Sequence, residues 1–334
     1  MGAAEGGPGA GGRPAWRWLG WALSIAVLVA TVLAVRGRWA ETADATWPAA
    51  GWVLAAVGVN VLGNLLLVDA WRATTALAGP RLPLLVATDV WGSAQLTRLV
   101  LPAAPVASRA ALAAPHGVRP GIGALTTLVE FAWMLVGTPA LALATAPWWL
   151  ADAPRDLAWV AAFAVVPVAA VVAIVVWPTR MLTLLAATLE RIPFLGPRLA
   201  GTAAAVRSAP LTRRLAVALL GRYAATTVLR LAGFLLLAVG LVGGGEVGDL
   251  FAVLVGAAAL GRFVGTVALF APGGIGPREG VTALVLGPHL GSGPVLVLVA
   301  LARLVELAAE VVLLVVVRLA RGVRRGGVRD STSS

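Results

Sequence analysis

The sequence contains no cysteine, and histidine occurs only twice in 334 residues, at His116 and His289. The missing cysteine excludes a disulfide framework, thiol catalysis and cysteine-ligated metal. The two histidines are far apart in the chain, and each is flanked by proline or glycine, which disfavours a histidine-based metal site. We therefore expect no metal site and no other cofactor.

Charge is scarce as well, and it is mostly of one sign. Charged residues make up 12% of the chain, and all 26 basic residues are arginine, because lysine is absent. With 15 acidic residues the net charge is +11. The arginines are spread over the ends and interiors of apolar runs and form no single basic module, so nucleic acid is not an expected partner. Anionic lipid headgroups at a membrane surface suit this charge better.

Apolar residues dominate what is present. They make up 60% of the chain, and the mean hydropathy is +0.92, whereas soluble domains are roughly 45–50% apolar and about 25% charged. Runs of about 20 apolar residues recur along the sequence, as in transmembrane helices. The sequence predicts an all-α, multi-pass transmembrane helix bundle of about seven or eight spans in the cell membrane. We expect a disordered tail at 1–14, the membrane domain at 15–320, and a basic cytoplasmic tail at 321–334.

Seven apolar runs are long enough to be read as spans. Their order along the chain is 18–35, 47–68, 121–146, 157–177, 215–242, 250–270 and 295–317. The loop 178–214 has six arginines and one acid, whereas the turn 243–249 has no arginine, which predicts cytoplasmic N- and C-termini. Two cytoplasmic termini require an even number of crossings, so we expect 81–119 or 272–294 to complete one more. Within the second run, Asn60 and Asn64 lie one turn apart and are expected to hydrogen-bond across helices.

Two segments interrupt the helical pattern. In the first, Pro102 and Pro105 predict either two half-helices around a break, which is a re-entrant hairpin, or an amphipathic cytoplasmic hairpin. In the second, the backbone break consists of Pro272, Gly273, Gly274 and Gly276. Free backbone groups near membrane depth are tolerated only where protein buries them or where they line a wet cavity.

Charged side chains also occur inside or beside the apolar runs. Arg303, Glu306 and Glu310 follow an i, i+3, i+7 spacing, which places them on one face of the last helix. The whole set has seven arginines and four acids: Arg98, Arg109, Arg222, Arg230, Arg262, Arg278, Arg303, Glu130, Glu279, Glu306 and Glu310. One interpretation is a group of buried structural ion pairs. The other is a polar cavity whose arginine forks bind a phosphate or carboxylate, and the arginine surplus favours that anionic ligand.

The two interrupted segments resemble each other. Each begins with proline after an apolar run, continues with small residues, and reaches an arginine six or seven positions later, at Arg109 and Arg278. Paired interrupted segments in the two halves of a chain are typical of a transporter binding site.

The motif at 272–279, Pro-Gly-Gly-Ile-Gly-Pro-Arg-Glu, resembles the Pro-Gly-Gly-aliphatic-Gly-x-Arg-Glu signature of the lysylphosphatidylglycerol synthase transmembrane-region family. That family is the flippase-like membrane part of the multiple peptide resistance factor and of its stand-alone relatives. Leu101-Pro102 with Arg109, and Arg303, support the resemblance, which extends over about residues 18–320. It implies an integral membrane protein that moves, or helps to move, a lipid between leaflets. The chain ends at Ser334, soon after its last apolar run, so we expect no aminoacyl-transferase activity and no enzyme.

The favoured hypothesis is a flippase-like protein for an anionic or aminoacylated phospholipid or a polyprenyl-linked lipid. Arg278 and Arg109 would contact the anionic headgroup, with Arg303 nearby. Glu279, Glu306 and Glu310 would hold those arginines or contact a cationic part of the headgroup. The alternatives are a non-transporting membrane partner of a separate lipid synthase or glycosyltransferase, and an intramembrane enzyme acting on a lipid phosphate.

Overall fold

The structure is a computed structural model, and it describes residues 47–77, 79–99, 104–150, 211–268 and 274–330, with scattered positions between 165 and 187. These residues form helices and turns and contain no strand, so the predicted all-α fold is confirmed for this part of the chain. The helices are α1 (Ala50–Thr75), α2 (Leu84–Leu96), α3 (Ala104–Ala113), α4 (Pro120–Ala144), α5 (Ala146–Trp149), α6 (Arg213–Val242), α7 (Gly244–Asp249), α8 (Phe251–Val267), α9 (Pro277–Leu290) and α10 (Ser292–Asp330).

Three of the described helices are long and apolar enough to cross a membrane: α1, α4 and α6. They correspond to the runs predicted at 47–68, 121–146 and 215–242. The run 18–35 lies outside the described residues, as does 157–177 apart from scattered positions. The tail 1–14 lies outside them too, and so do Pro102, Pro272 and Gly273.

Helices α8 and α9 form an antiparallel hairpin. Their backbones approach closely at two glycines of α8: a Cβ atom on Gly261 would lie 2.2 Å from Oγ1 of Thr282, and one on Gly265 would lie 2.8 Å from Cβ of Arg278. The Thr282 hydroxyl also donates to the carbonyl oxygen of Ala257, at 3.4 Å. Residues 250–270 were predicted to be a separate crossing. In the structure α8 is an apolar helix of 17 residues, or about 25 Å, and it packs against α9 as one arm of the hairpin.

Helices α2 and α3 form a second antiparallel hairpin. The Ser108 hydroxyl donates to Oγ1 of Thr97 at 3.0 Å, next to the break at 100–103. At the other end, a Cβ atom on Gly117 would lie 3.5 Å from Cγ of Pro80, so the chain leaves the hairpin where it entered. A helical hairpin is common to both alternatives predicted for 81–119, the re-entrant and the cytoplasmic one. Pro105 lies in the first turn of α3, where a missing N–H does not break the helix.

Apolar side chains form two separate cores at the two ends of the bundle. The first apolar core joins the end of α1, the start of α2 and the start of α6, and includes Leu67, Trp71, Trp91, Ile122 and Leu219. The second apolar core joins the end of α6, the outer ends of α8 and α9, and the start of α10, and includes Leu237, Leu254, Leu286, Val297 and Leu298. Helix α10 packs against both hairpins, through α2 and α9. The level between the two cores is where the polar side chains lie.

Candidate functional site

Between the two apolar cores, polar side chains line two adjoining cavities. One has a volume of about 50 Å³ and the other of about 110 Å³. Both are lined by residues of α1, α6, α8, α9 and α10, and we refer to the two together as the polar cavity. The shared lining includes Asn60, Arg230, Arg262, Arg278, Arg303 and Glu306.

The turn before α9 brings Arg278 to the cavity. Gly274 and Gly276 have φ values of +73° and +93°, which only glycine adopts easily. Pro277 then begins the helix, with Arg278 and Glu279 in its first turn. The Glu279 carboxylate accepts a hydrogen bond of 2.8 Å from the backbone N–H of Gly276, so Glu279 stabilises this turn besides lining the cavity.

Glu306 of α10 joins both arms of the α8–α9 hairpin. Arg278 donates to its two oxygens at 2.6 and 2.8 Å. Arg262 of α8 donates to Oε1 of the same carboxylate at 2.5 Å. Both oxygens of Glu306 are therefore hydrogen-bonded to guanidinium groups.

Glu310, one turn further along α10, joins the other hairpin. Its carboxylate forms an ion pair with Arg98 at 2.8 Å. The Arg98 guanidinium also donates to the carbonyl oxygen of Gln95 at 3.2 Å, which fixes it at the end of α2. Helix α10 thus holds one hairpin through Glu306 and the other through Glu310.

Arg109 is buried in a cluster of its own behind the cavity. Its side chain is 1% exposed and forms an ion pair with Glu130 of α4 at 2.6 Å. It also donates to Oε1 of Gln95 at 2.8 Å and lies 5.2 Å from the centre of the Trp91 ring. Glu130 lines the cavity, whereas Arg109 lines neither part of it. The structure thus places Arg109 outside the lining of the cavity, with its guanidinium bonded to Glu130 and Gln95.

Arg230 of α6 lines both parts of the cavity, and its hydrogen-bond partner is an amide. Its guanidinium donates to Oδ1 of Asn64 at 3.2 Å, which confirms the predicted interhelical bond for Asn64. Asn60 bonds instead to the carbonyl oxygen of Ala56 in its own helix. In the described part of the chain, no carboxylate lies within ion-pair distance of Arg230.

The charges around the cavity do not balance. Six arginines and four glutamates of the described residues belong to it or to its immediate ion pairs, a net charge of +2. They are Arg98, Arg109, Arg230, Arg262, Arg278, Arg303, Glu130, Glu279, Glu306 and Glu310. A surplus of positive charge in a largely apolar surrounding favours an anionic ligand.

A second group of charges lies nearer one end of the bundle, and we call it the arginine belt: Arg72 and Arg222 around Asp69, and Arg318 and Arg321 around Asp89. Arg222 and Asp69 are 2.8 Å apart and about one-third exposed. At 1.5 Å per helical residue, Arg230 lies about 12 Å from the level of Arg222, and Glu306 about 18 Å from the level of Arg318. The cavity and the belt are therefore distinct layers.

The structure brings five of the six predicted headgroup residues to the cavity: Arg278, Glu279, Arg303, Glu306 and Glu310. Helical spacing had placed the last three on one face of α10. The sequence analysis did not single out Arg230 as a site residue or assign a role to Gly261 and Gly265. The small-xxx-small spacing of these two glycines, typical of close helix contacts in membranes, was the available signal.

Among the described residues, no group of three or more histidines or acids is placed to hold a metal ion. In comparisons with protein-family models, curated proteins and solved structures, nothing matches this chain.

Proposed function

We propose that this protein is a multi-pass membrane protein that binds the anionic headgroup of a lipid in the polar cavity and moves it, or helps to move it, between leaflets. The family resemblance of the 272–279 motif first suggested this function. The support from the structure is the depth of the cavity and the charge of its lining.

The depth follows from helix lengths. Helices α1, α4 and α6 are long enough to cross a bilayer core of about 30 Å. With 17 and 14 residues, α8 and α9 extend only about 25 and 21 Å, so we assign them as a re-entrant hairpin. We assign α2–α3 as a second one, entering from the belt side. The arginine belt then marks the cytoplasmic surface, together with the basic C-terminal part of α10. At about 12–18 Å from the belt, the cavity lies near the middle of the membrane.

The proposal depends mainly on the position of Arg230. A charged side chain at the bilayer centre costs at least about 2.5–3.5 kcal/mol by insertion scales. Arg262 and Arg278 recover part of that cost through their ion pairs with Glu306, whereas Arg230 faces Asn64. A guanidinium at this depth, beside a cavity and with no carboxylate of the described residues within ion-pair distance, is expected to have a function. Its remaining N–H groups would bind the phosphate of a headgroup.

The test is translocation of a headgroup-labelled anionic phospholipid in proteoliposomes that contain the purified full-length protein. Arg230→Gln removes the charge and should reduce the rate by at least about tenfold, the effect of losing one charge-assisted contact. Arg222→Gln is the matched control, because Arg222 lies on the same helix but belongs to the belt and bonds Asp69. The control should retain the parent rate.

Equal rates for Arg230→Gln and the parent protein would contradict the assignment of the site. A parent protein that binds the lipid but does not move it would contradict transport by the protein alone. Co-purification of a lipid synthase or glycosyltransferase with such a protein would then favour the partner-subunit alternative.

A further inference from the structure

Carboxamide side chains are rare in this protein, and they lie together. The sequence has only three of them in 334 residues: Asn60, Asn64 and Gln95. They come from two helices, α1 and α2, yet all three line the larger part of the polar cavity. Each residue is at most 9% exposed. Amides inside a membrane bundle usually hydrogen-bond between helices, but that role uses only part of the hydrogen-bonding capacity of a carboxamide.

Two of the three amides have their oxygen fixed by an arginine. Nη2 of Arg230 donates to Oδ1 of Asn64 at 3.2 Å, and Nη2 of Arg109 donates to Oε1 of Gln95 at 2.8 Å. A guanidinium can only donate, so the oxygen of each amide, and not its nitrogen, must face the arginine. The nitrogen, with its two N–H donors, is then directed away from that arginine. Because Arg109 lies behind the cavity, the donors of Gln95 are directed toward it.

We propose that Asn64 and Gln95 bind the headgroup as neutral donors, each giving an amide N–H to an oxygen atom of the phosphate. The inference rests on the proposed function and adds two binding residues to the site. An amide suits this position because it bonds an arginine without neutralising it, whereas a carboxylate would neutralise the arginine and repel the phosphate. Asn60 is not assigned this role, because its own Nδ2 donates to the carbonyl oxygen of Ala56 at 2.8 Å.

Because Gln95 is the only glutamine in the sequence, its donors can be observed directly by nuclear magnetic resonance. Full-length protein in detergent, labelled with nitrogen-15 only in glutamine side chains, gives one pair of amide N–H signals. Titration with dioctanoyl phosphatidylglycerol should move at least one of them downfield, because a hydrogen bond to a charged oxygen deshields the proton. In asparagine-labelled protein, the pair of signals that Asn64→Leu removes should respond to the lipid in the same way.

Two further compounds identify the part of the lipid that causes the shift. Dioctanoylglycerol has the same acyl chains and no phosphate, so it should leave the Gln95 signals in place. Inorganic phosphate at the concentration of the lipid should also leave them in place, because it lacks the acyl chains that add to the affinity of the lipid.

Two variants of Gln95 separate a binding role from a purely structural one. Gln95→Glu keeps an oxygen for Arg109 and replaces the N–H donors by a second oxygen, whereas Gln95→Met removes both. In calorimetric titrations, both variants should bind phosphatidylglycerol at least about tenfold more weakly, the effect of losing one charge-assisted bond. Thr88→Val is the matched control on α2. It removes a hydrogen bond to the carbonyl oxygen of Leu84 outside the cavity lining, so the affinity should stay at the parent value.

Unmoved Gln95 signals in protein that binds the lipid would overturn the inference. So would an affinity equal to that of the parent in Gln95→Glu, because Gln95 would then serve only as the partner of Arg109. Either result would leave the proposed function standing, since the lipid still binds. Absence of phosphatidylglycerol binding to the parent protein would contradict the proposed function, and the inference with it. An equal shift with inorganic phosphate would support the donor role of Gln95 and contradict a lipid ligand.

Discussion

Glu306 is the residue through which both arms of the α8–α9 hairpin are joined to α10. A carboxylate in an apolar surrounding is stabilised only by close opposite charge and hydrogen bonds. Glu306 has both, since Arg262 and Arg278 donate to its two oxygens at 2.5–2.8 Å. Removing its charge leaves two guanidinium groups facing each other.

Glu306→Gln should therefore destabilise the protein by about 3 kcal/mol, as expected when one partner of a buried ion pair is removed. The measurement is the free energy of unfolding from a urea titration in detergent. Asp89→Asn is the control: Asp89 also binds two arginines, but its partner Arg318 is 48% exposed. Its loss should cost at most about 1 kcal/mol.

A double variant separates the contribution of the Arg262–Glu306 ion pair from the other effects of replacing Glu306. In Arg262→Gln/Glu306→Gln one of the two repelling cations is also gone. Its loss of stability should be smaller than the sum of the losses in the two single variants. An additive result would show that the Arg262–Glu306 contact contributes nothing to stability.

Sequence spacing predicts which charges share a helix face but not their partners. The i, i+3, i+7 pattern places Arg303, Glu306 and Glu310 together, and the structure agrees. Arg222 and Arg230, two turns apart on α6, were treated alike. The structure separates them, because Asp69 meets the first and Asn64 the second. Those partners lie more than 150 positions away in the chain, so no local pattern could assign them.

At the level of elements, the α8–α9 hairpin depends on two glycines. Gly261 and Gly265 lie one turn apart on the face of α8 that contacts α9. In a membrane, where lipid chains are as apolar as leucine, close backbone approach of this kind drives helix packing. The same contact sets the position of Arg278, because its carbonyl oxygen lies 2.9 Å from a Cβ atom placed on Gly261 and its Cβ lies 2.8 Å from one placed on Gly265.

Gly261→Val should push α9 away from α8. A Cβ atom at this position would lie 2.2 Å from Oγ1 of Thr282 and 2.9 Å from the carbonyl oxygen of Arg278. Overpacking of this kind costs about 1–3 kcal/mol, and displacement of Arg278 should also reduce lipid binding. Gly287→Ala on α9 is the control, since a Cβ atom there meets nothing within 4 Å. The free energy of unfolding and the affinity for lipid should both fall in Gly261→Val and remain unchanged in Gly287→Ala. A fully stable variant would contradict close packing of the hairpin.

An apolar run alone does not say whether it crosses the membrane or turns back. The run 250–270 has the composition of a span, and the sequence analysis counted it as one. The structure ends α8 at Val267, begins α9 at Pro277 and packs the two helices against each other in antiparallel directions. Composition reflects the lipid-facing surface of a helix, and that surface is apolar both in a spanning helix and in one arm of a hairpin. The turn depends on Gly274 and Gly276 and on tertiary contacts.

On the scale of the whole molecule, two apolar cores enclose a polar layer, and the two hairpins approach that layer from opposite ends. Only α10 is tied to both hairpin tips by ion pairs among the described residues, through Glu306 and Glu310 one turn apart. In this arrangement Glu310 fixes the α2–α3 hairpin and Glu306 fixes the α8–α9 hairpin, each by ion pairs. Release of one hairpin should open the cavity toward that side only.

The cavity should therefore open in opposite directions in two neighbouring variants. The chain has no cysteine, so a single reporter, Thr227→Cys in the cavity lining, can be labelled by a membrane-impermeant thiol reagent in vesicles of either orientation. Glu310→Gln releases Arg98 and the α2–α3 hairpin, and labelling should rise severalfold from the belt side. Glu306→Gln releases Arg262 and Arg278, and labelling should rise from the opposite side. Gly248→Cys on the short helix α7, an exposed position where a Cβ atom meets nothing within 4 Å, lies outside the cavity and should label alike in both backgrounds. If labelling of the reporter rose from the same side in both variants, the two hairpins would not open independently, and the prediction would be wrong.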